Sequence, residues 1–407
     1  MNCRHCATPL KHTFIDLGFA PPSNAYLIDS DLTKPEKYYP LRVKVCDQCW
    51  LVQTEDYAQA NELFDSEYSY FSSTSSGWLA HAKLYAEKMT HELELNEKSL
   101  VIEVASNDGY LLKNFVEKKI PCLGIEPTAS TAKAAEALGI PVLQEFFGEK
   151  LGKRLSQEGY QADLIAGNNV YAHVPDINDF TLGLKAALKP NGIITLEFPH
   201  LMRLIEFNQF DTIYHEHFSY LSLFTVLQIF KAAGLRIWNV EELTTHGGSL
   251  RIYGCHEADT RETLPAVQVI LEKENERGLQ NLSVYEAFQE KANVIKNEFL
   301  QFLIDQKKSG KKVAAYGAAA KGNTLLNYAG VKRDLLSFVC DAAGAKQNKF
   351  MPGSHIPIKK PEALFKEHLD FVVILPWNIA KEVREQNIQL VESGTQFVTA
   401  VPSLKYS

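Results

Sequence analysis

Four cysteines stand in two C-x-x-C pairs, Cys3 with Cys6 and Cys46 with Cys49. Thiolates at that spacing converge on one ion, and two such knuckles complete a tetrahedral shell of four sulfurs that shuts the metal off from substrate. One structural zinc is expected, with a long loop inserted between the knuckles. The other cysteines, Cys122, Cys255 and Cys340, lie singly in apolar stretches and read as core thiols. A second concentration of chemistry is the run Tyr214-His215-Glu216-His217-Phe218-Ser219-Tyr220. Imidazole titrates near neutral pH and a phenol can donate to an oxyanion, so the run holds the parts of a proton-transfer site. It lacks the H-E-x-x-H spacing of zinc hydrolases, and a hydrolytic metal site is not expected.

A third set lies where strand-like runs end. Leu100 to Val104 leads into Ala105-Ser106-Asn107-Asp108-Gly109, a small polar turn that lets backbone approach a ligand. Glu126 ends the next run, where a carboxylate can accept hydrogen bonds from two ribose hydroxyls, and Asn168 and Asn169 end a third. Dinucleotides and S-adenosylmethionine both use this layout. The fingerprint G-x-G-x-x-G is missing here, which removes the diphosphate cradle. An acidic Glu103 inside the first run also suits the cationic amino acid end of the methyl donor better than a diphosphate. The expected donor contacts are Glu103, Ser106, Asn107, Gly109, Glu126 and Asn168.

These residues need elements to position them. From about 76 to 260, short β-branched runs (SLVIEV, PCLGIEP, DLIAGN, GIITLEFP, LRIWNV, SLRIYGC) alternate with helix-length segments, the pattern of a parallel sheet with crossover helices. Leu264 to Gln306 is polar and amphipathic and reads as one or two connecting helices. After Lys311 the alternation resumes with KVAAYG, LSFVCD, DFVVIL and QFVTAV. The expected class is therefore α/β in three parts. A zinc-binding domain spans 1–75, and a doubly wound, Rossmann-like domain for the methyl donor spans 76–260. A helical connector with a smaller Rossmann-like α/β domain fills 261–407.

Composition narrows the partners. The 407 residues are 45% hydrophobic and 22% charged, with a formal net charge of −7 and no dense Lys/Arg stripe, so nucleic acid is not expected. No apolar run reaches bilayer length, and the first residues lack a basic stretch ahead of an apolar one. A cytoplasmic protein acting on a small molecule, away from membranes, is the expectation.

Taken in order, the motifs resemble the sugar C-methyltransferases that carry an amino-terminal zinc-binding domain and a carboxy-terminal C-methyltransferase domain. The resemblance runs through both knuckles, Glu67-Tyr68-Ser69-Tyr70-Phe71-Ser72-Ser73, Ser106 to Tyr110, and Asn168 to Asp176. It continues through Tyr214-His215-Glu216-His217, His246-Gly247-Gly248-Ser249-Leu250-Arg251, Gly317 to Gly322 and Pro376-Trp377-Asn378. In place of the usual methyltransferase first motif, E-x-G-x-G, this chain has Glu103-Val104-Ala105-Ser106-Asn107-Asp108-Gly109. The resemblance implies a nucleotide-linked 4-keto-deoxysugar as substrate, usually on thymidine diphosphate, methylated at C3 or C5. It also implies that Tyr214, Glu216, His217, His173 and Tyr68 or Tyr70 line the sugar pocket. His217 is then the first choice of base, and the last domain, with Lys321, covers the nucleotide. Isolated His200 and His215 read as structural. Two other readings fit the same residues: an O- or N-methyltransferase, which needs no enolate machinery, and a non-catalytic zinc-containing nucleotide-binding protein.

Overall fold

Side-chain alternation shapes the first of three sheets. The computed structural model describes residues 1–57 and 71–407. Strands β1 (His12–Ala20), β2 (Tyr39–Val45) and β3 (Val52–Thr54) pair antiparallel. In β2, Leu41, Val43 and Val45 are buried while Arg42 and Lys44 face outward, the period of two that a sheet with one wet face requires. Arg42 meets Asp16 at 2.9 Å and Glu55 at 3.2 Å.

The central sheet follows the other rule. Its strands β4 (Val101–Val104) and β5 (Cys122–Ile125) are buried at every position, as expected of parallel strands with helices on both faces. β6 (Val142–Leu143), β7 (Ala162–Asn168) and β8 (Leu188–Pro199) complete the parallel part. The next strand, β9 (Ser219–Tyr220), leaves this unit and pairs with β3, Tyr220 opposite Val52. β10 (Leu235–Leu243) and β11 (Ser249–His256) then return antiparallel, giving the order β10-β11-β8-β7-β4-β5-β6. The order reverses between β4 and β7. In an open α/β sheet the crevice outside the strand ends at such a point is where ligands bind.

Three helices, Pro265–Glu276, Leu282–Glu286 and Phe288–Lys308, occupy the connector. The last of them packs on the first sheet, where the Phe14 and Phe288 rings stack at 4.5 Å. Each of these buried rings contributes roughly 1.5–3 kcal/mol. The third sheet holds β12 (Val313–Tyr316), β13 (Val339–Cys340), β14 (Ile358–Lys359), β15 (Phe371–Ile374), β16 (Gln396–Thr399) and β17 (Lys405–Tyr406). All are parallel except β17, in the order β14-β13-β12-β15-β16-β17.

The hydrophobic cores cross between sheets. Phe14, Leu41 and Val43 share one core with Phe288, Phe299, Val313 and Val373. Cys3, Cys46, Cys49 and Leu51 belong to another, with Ile102, Ile165, Leu223 and Val226. Among the described residues no helix is long and apolar enough to cross a membrane.

Candidate functional site

Cys3, Cys6, Cys46 and Cys49 converge, with all four sulfurs within 4.8 Å of one another. Cys3 and Cys49 approach to 3.5 Å, as do Cys6 and Cys46. A tetrahedral zinc with bonds of about 2.3 Å sets its sulfurs about 3.8 Å apart, so the cluster fits that ion. The two knuckles are copies of one turn. Ala7 and Trp50 each follow the second cysteine in left-handed backbone, both at φ 60°, and each donates its N–H to the first cysteine's carbonyl, at 2.9 and 3.0 Å. Gln53 donates its amide to Cys3 Sγ at 3.2 Å.

These knuckles also grip the central unit. Arg4 donates to the Pro175 carbonyl at 2.7 Å, and Asn178 donates to the carbonyls of Arg4 and His5. The Cys49 carbonyl accepts from Thr225 at 3.1 Å and Gln228 at 3.2 Å.

A cleft of about 790 Å³ opens at the carboxyl ends of β4, β5 and β7, walled by all three sheet units. Glu126 lines it, its carboxylate held by the backbone N–H groups of Asn107 at 3.0 Å and Thr128 at 2.9 Å. Each oxygen keeps a lone pair for a ligand hydroxyl. Asn107 in turn accepts from the Ser72 N–H at 2.9 Å, which ties the turn to the short segment Ser72–Thr74 just ahead of the helix Ser76–Glu92. Behind the turn Glu103 is fully buried, and burial pushes its carboxyl well above the usual range. The Tyr110 hydroxyl stands near Glu103 and Asn168, yet no hydrogen bond of good geometry reaches Glu103 or Asn168 among the described residues. Such orphaned polar groups beside a cleft fit a zwitterionic, ribose-bearing ligand.

Backbone strain gathers here as well. Ala105, Asn107, Asn169 and His246 all line the cleft in left-handed conformations, with φ between 50 and 57°. Non-glycine residues hold such angles only where their surroundings over-determine them, a pattern common at ligand sites.

Tyr214, His217 and His173 also line the cleft. The His217 ring is 4.0 Å from that of Tyr214 and 4.5 Å from that of His173, centroid to centroid. His217 donates from Nδ1 to the Thr212 carbonyl at 2.9 Å. A carbonyl only accepts, so Nδ1 carries the proton and Nε2 is left as a base. Burial, then the neighbouring His173, holds this imidazole well below its ordinary pKa. Burial likewise takes His173 down to about 4. Both rings are neutral at pH 7.

Three family models match the chain in succession: a zinc binding domain over residues 3–64, a methyltransferase domain over 78–240 and a C-methyltransferase C-terminal domain over 244–402. The C-methyltransferase NovU of Streptomyces niveus is 31% identical over 401 residues, which is 98% of this chain and 95% of that protein. The chain belongs to the C-methyltransferase family. Among solved structures, the magnesium protoporphyrin IX methyltransferase ChlM of Synechocystis PCC 6803 with bound SAH is 13% identical. It overlays 44% of this chain and 83% of its own, with a TM-score of 0.35. The plantazolicin methyltransferase BpumL, also with SAH, is 13% identical over 43% of this chain and 84% of its own, with a TM-score of 0.35.

This C-methyltransferase thus uses S-adenosylmethionine and carries zinc. Of the donor contacts expected from its sequence, Asn107, Glu126 and Asn168 line the cleft. Glu103, Ser106 and Gly109 lie behind it. Ser106 packs on Gly124, where an added Cβ would sit 2.5 Å from its Oγ. Gly109 has φ +78°, and a Cβ there would come within 2.4 Å of Ile140 and 3.2 Å of Ala135. Gly109→Ala is therefore expected to lower stability by about 2–4 kcal/mol, combining overpacking with the left-handed penalty. Urea unfolding measures this, and an unchanged midpoint would show that the helix Ala129–Glu136 shifts freely to make room.

Of the other expected residues, Glu216 is buried behind the cleft wall and accepts from Asn24 at 3.2 Å. Tyr68 and Tyr70 lie outside the described residues. His200 is buried against Glu274 at 2.7 Å, and His215 meets the Tyr39 carbonyl at 3.3 Å. Lys321 lines the cleft, bonded to Asn378 at 2.7 Å and lying 4.6 Å over the Trp377 ring. Sequence reasoning missed two residues. Asp211 accepts from Trp377 Nε1 at 2.8 Å, and no spacing marked it. His246 was visible only as a histidine ahead of two glycines.

Proposed function

We propose that this enzyme methylates a carbon beside the C4 ketone of a nucleotide-linked 4-keto-deoxysugar, with thymidine diphosphate as the carrier and C3 in preference to C5. The observation that carries the reading is His217, a buried neutral imidazole whose Nε2 is reserved as an acceptor at the cleft. When bound, S-adenosylmethionine supplies an electrophilic methyl group. To meet it, a sugar carbon must become a carbanion equivalent, which happens only α to a carbonyl. His217 takes that proton at Nε2. Tyr214 and His173, whose rings pack on His217, act on the enolate oxygen, joined by Tyr68 or Tyr70. Glu216 fixes Asn24, which lines the same cleft.

On the donor side Glu126 takes the ribose, while Asn168 favours the amino acid end. Lys321 stands in the first turn of the helix Ala320–Tyr328, where positive charge and free N–H groups suit the diphosphate. In this reading the chain divides into a zinc-binding domain to about 75, a methyltransferase domain to about 260 and a substrate-covering domain beyond.

The test is incubation with the methyl donor and a panel of 4-keto nucleotide sugars in heavy water, followed by mass analysis. The expected product gains a methyl on carbon, and exchange proceeds at the α position. A methyl on oxygen or nitrogen would overturn the reading. Glu126→Gln should weaken donor binding about 10- to 100-fold, as expected when an acceptor of charge-assisted hydrogen bonds is replaced. Calorimetry with S-adenosylmethionine checks this, and wild-type affinity would move the ribose elsewhere.

A further inference from the structure

His246 sits in the hairpin between β10 and β11, at φ 53°, a left-handed backbone region uncommon for residues other than glycine. Its surroundings leave it no alternative. The hydroxyl of Thr245 donates to Glu197 at 2.8 Å, and Glu197 is fully buried and paired with Arg251 at 2.6 Å. The Gly247 carbonyl accepts from Gln209 at 2.8 Å, and the Gly248 N–H donates to Thr245 at 2.9 Å. A Cβ on Gly247 would stand 2.4 Å from Trp377, so the ring of the last unit closes over the hairpin.

All of this orients one imidazole at the cleft. The Asn169 amide donates to its Nε2 at 2.9 Å, so the neutral ring carries its proton on Nδ1. Nδ1–H is the group left for a ligand. Burial takes this histidine down to about 4, so the ring is a neutral donor rather than a cation. His217 lines the same cleft.

We propose that His246 is an oxyanion donor of this enzyme, its Nδ1–H bonding the substrate carbonyl oxygen while His217 removes the α proton. This rests on the keto-substrate reading above. As the C–H bond breaks, the proton passes to His217 Nε2 and the electron pair moves through the enolate onto the oxygen. When the new C–C bond forms, the carbonyl returns and the methyl–sulfur bond breaks with its pair on sulfur. The proton on His217 then leaves to solvent. A neutral imidazole suits the oxygen because it polarises the carbonyl without handing over its proton.

The experiment measures deuterium wash-in from heavy water into the 4-keto nucleotide sugar panel with S-adenosylhomocysteine bound. It compares wild type with His246→Asn, since asparagine tolerates the left-handed backbone. Exchange and methylation should both fall about 10²- to 10³-fold, the usual effect of losing one oxyanion donor. Donor affinity by calorimetry should stay within about threefold, because the lost bond is made to the enolate. Asn169→Asp, which accepts from Nε2 and so reverses the tautomer, should lower exchange comparably. Exchange near wild type in His246→Asn, or a loss of donor affinity in step with the loss of exchange, would overturn the assignment. A wild-type enzyme that methylates but washes deuterium into no member of the panel overturns the substrate reading itself, and this proposal with it.

Discussion

His217→Asn should remove both α-proton exchange and methyl transfer, by a factor of about 10² to 10⁴, while the protein stays folded and still binds donor. Asparagine can renew the bond to the Thr212 carbonyl but offers no base in place of Nε2. Since the donor contacts are assigned to Asn107, Glu126 and Asn168 and not to His217, donor affinity should change little. The pH profile separates this imidazole from an ordinary one. Burial and His173 both disfavour its charged form, so the base stays neutral as pH falls through 6.5, the unperturbed value. The acid limb of kcat/KM should lie well below that value. A limb at 6.5, or exchange that survives in the variant, would assign the proton transfer to another group.

Stripping the metal is expected to be the most damaging single treatment. A structural four-thiolate zinc contributes an apparent 10–16 kcal/mol, comparable with the whole stability of a typical domain, about 5–15 kcal/mol. The damage should also spread beyond the first sheet. Arg4 grips Pro175, two residues past His173, and β3 carries β9, which begins two residues past His217. Elemental analysis should find one zinc per chain, and chelation should collapse the thermal transition. Hydrogen exchange should then rise in 173–178 and 212–220 as well as in the first sheet. A chelated protein that melts normally and stays active would remove zinc from the architecture.

Much of this was readable in the sequence because it is local. The knuckles need only C-x-x-C, and strands buried on both faces announce themselves as unbroken apolar runs such as Cys122–Ile125. The turn after β4 was legible from its small residues, but not which of them face the ligand. Gly109 and Ser106 are small because Ile140 and Gly124 press against them from behind, and Asn107 reaches the cleft through its left-handed backbone. The motif that begins at His246 gave that residue no role, because its importance is assembled from Asn169, Glu197 and Trp377, which stand 77, 49 and 131 positions away in the numbering. The sequence set His217 apart from His200 only by the company of the Tyr214–Tyr220 run. The structure supplies the physical difference, the Glu274 carboxylate beside His200 and the Thr212 carbonyl beside His217.

The two-residue strand β9 bears on how such proteins can be recombined. It lends the zinc-bearing sheet its edge while the chain just ahead of it, through Thr212, Tyr214 and His217, serves the cleft. Anyone exchanging amino-terminal modules between relatives, or trimming this one to a bare methyltransferase, would leave β9 with unpaired N–H and C=O groups, and β3 likewise. The natural unit of transplantation is therefore discontinuous: the knuckles and their sheet travel together with the segment from Asp211 to Tyr220. A chimera cut at the covalent boundary alone should aggregate, whereas one carrying both pieces should fold.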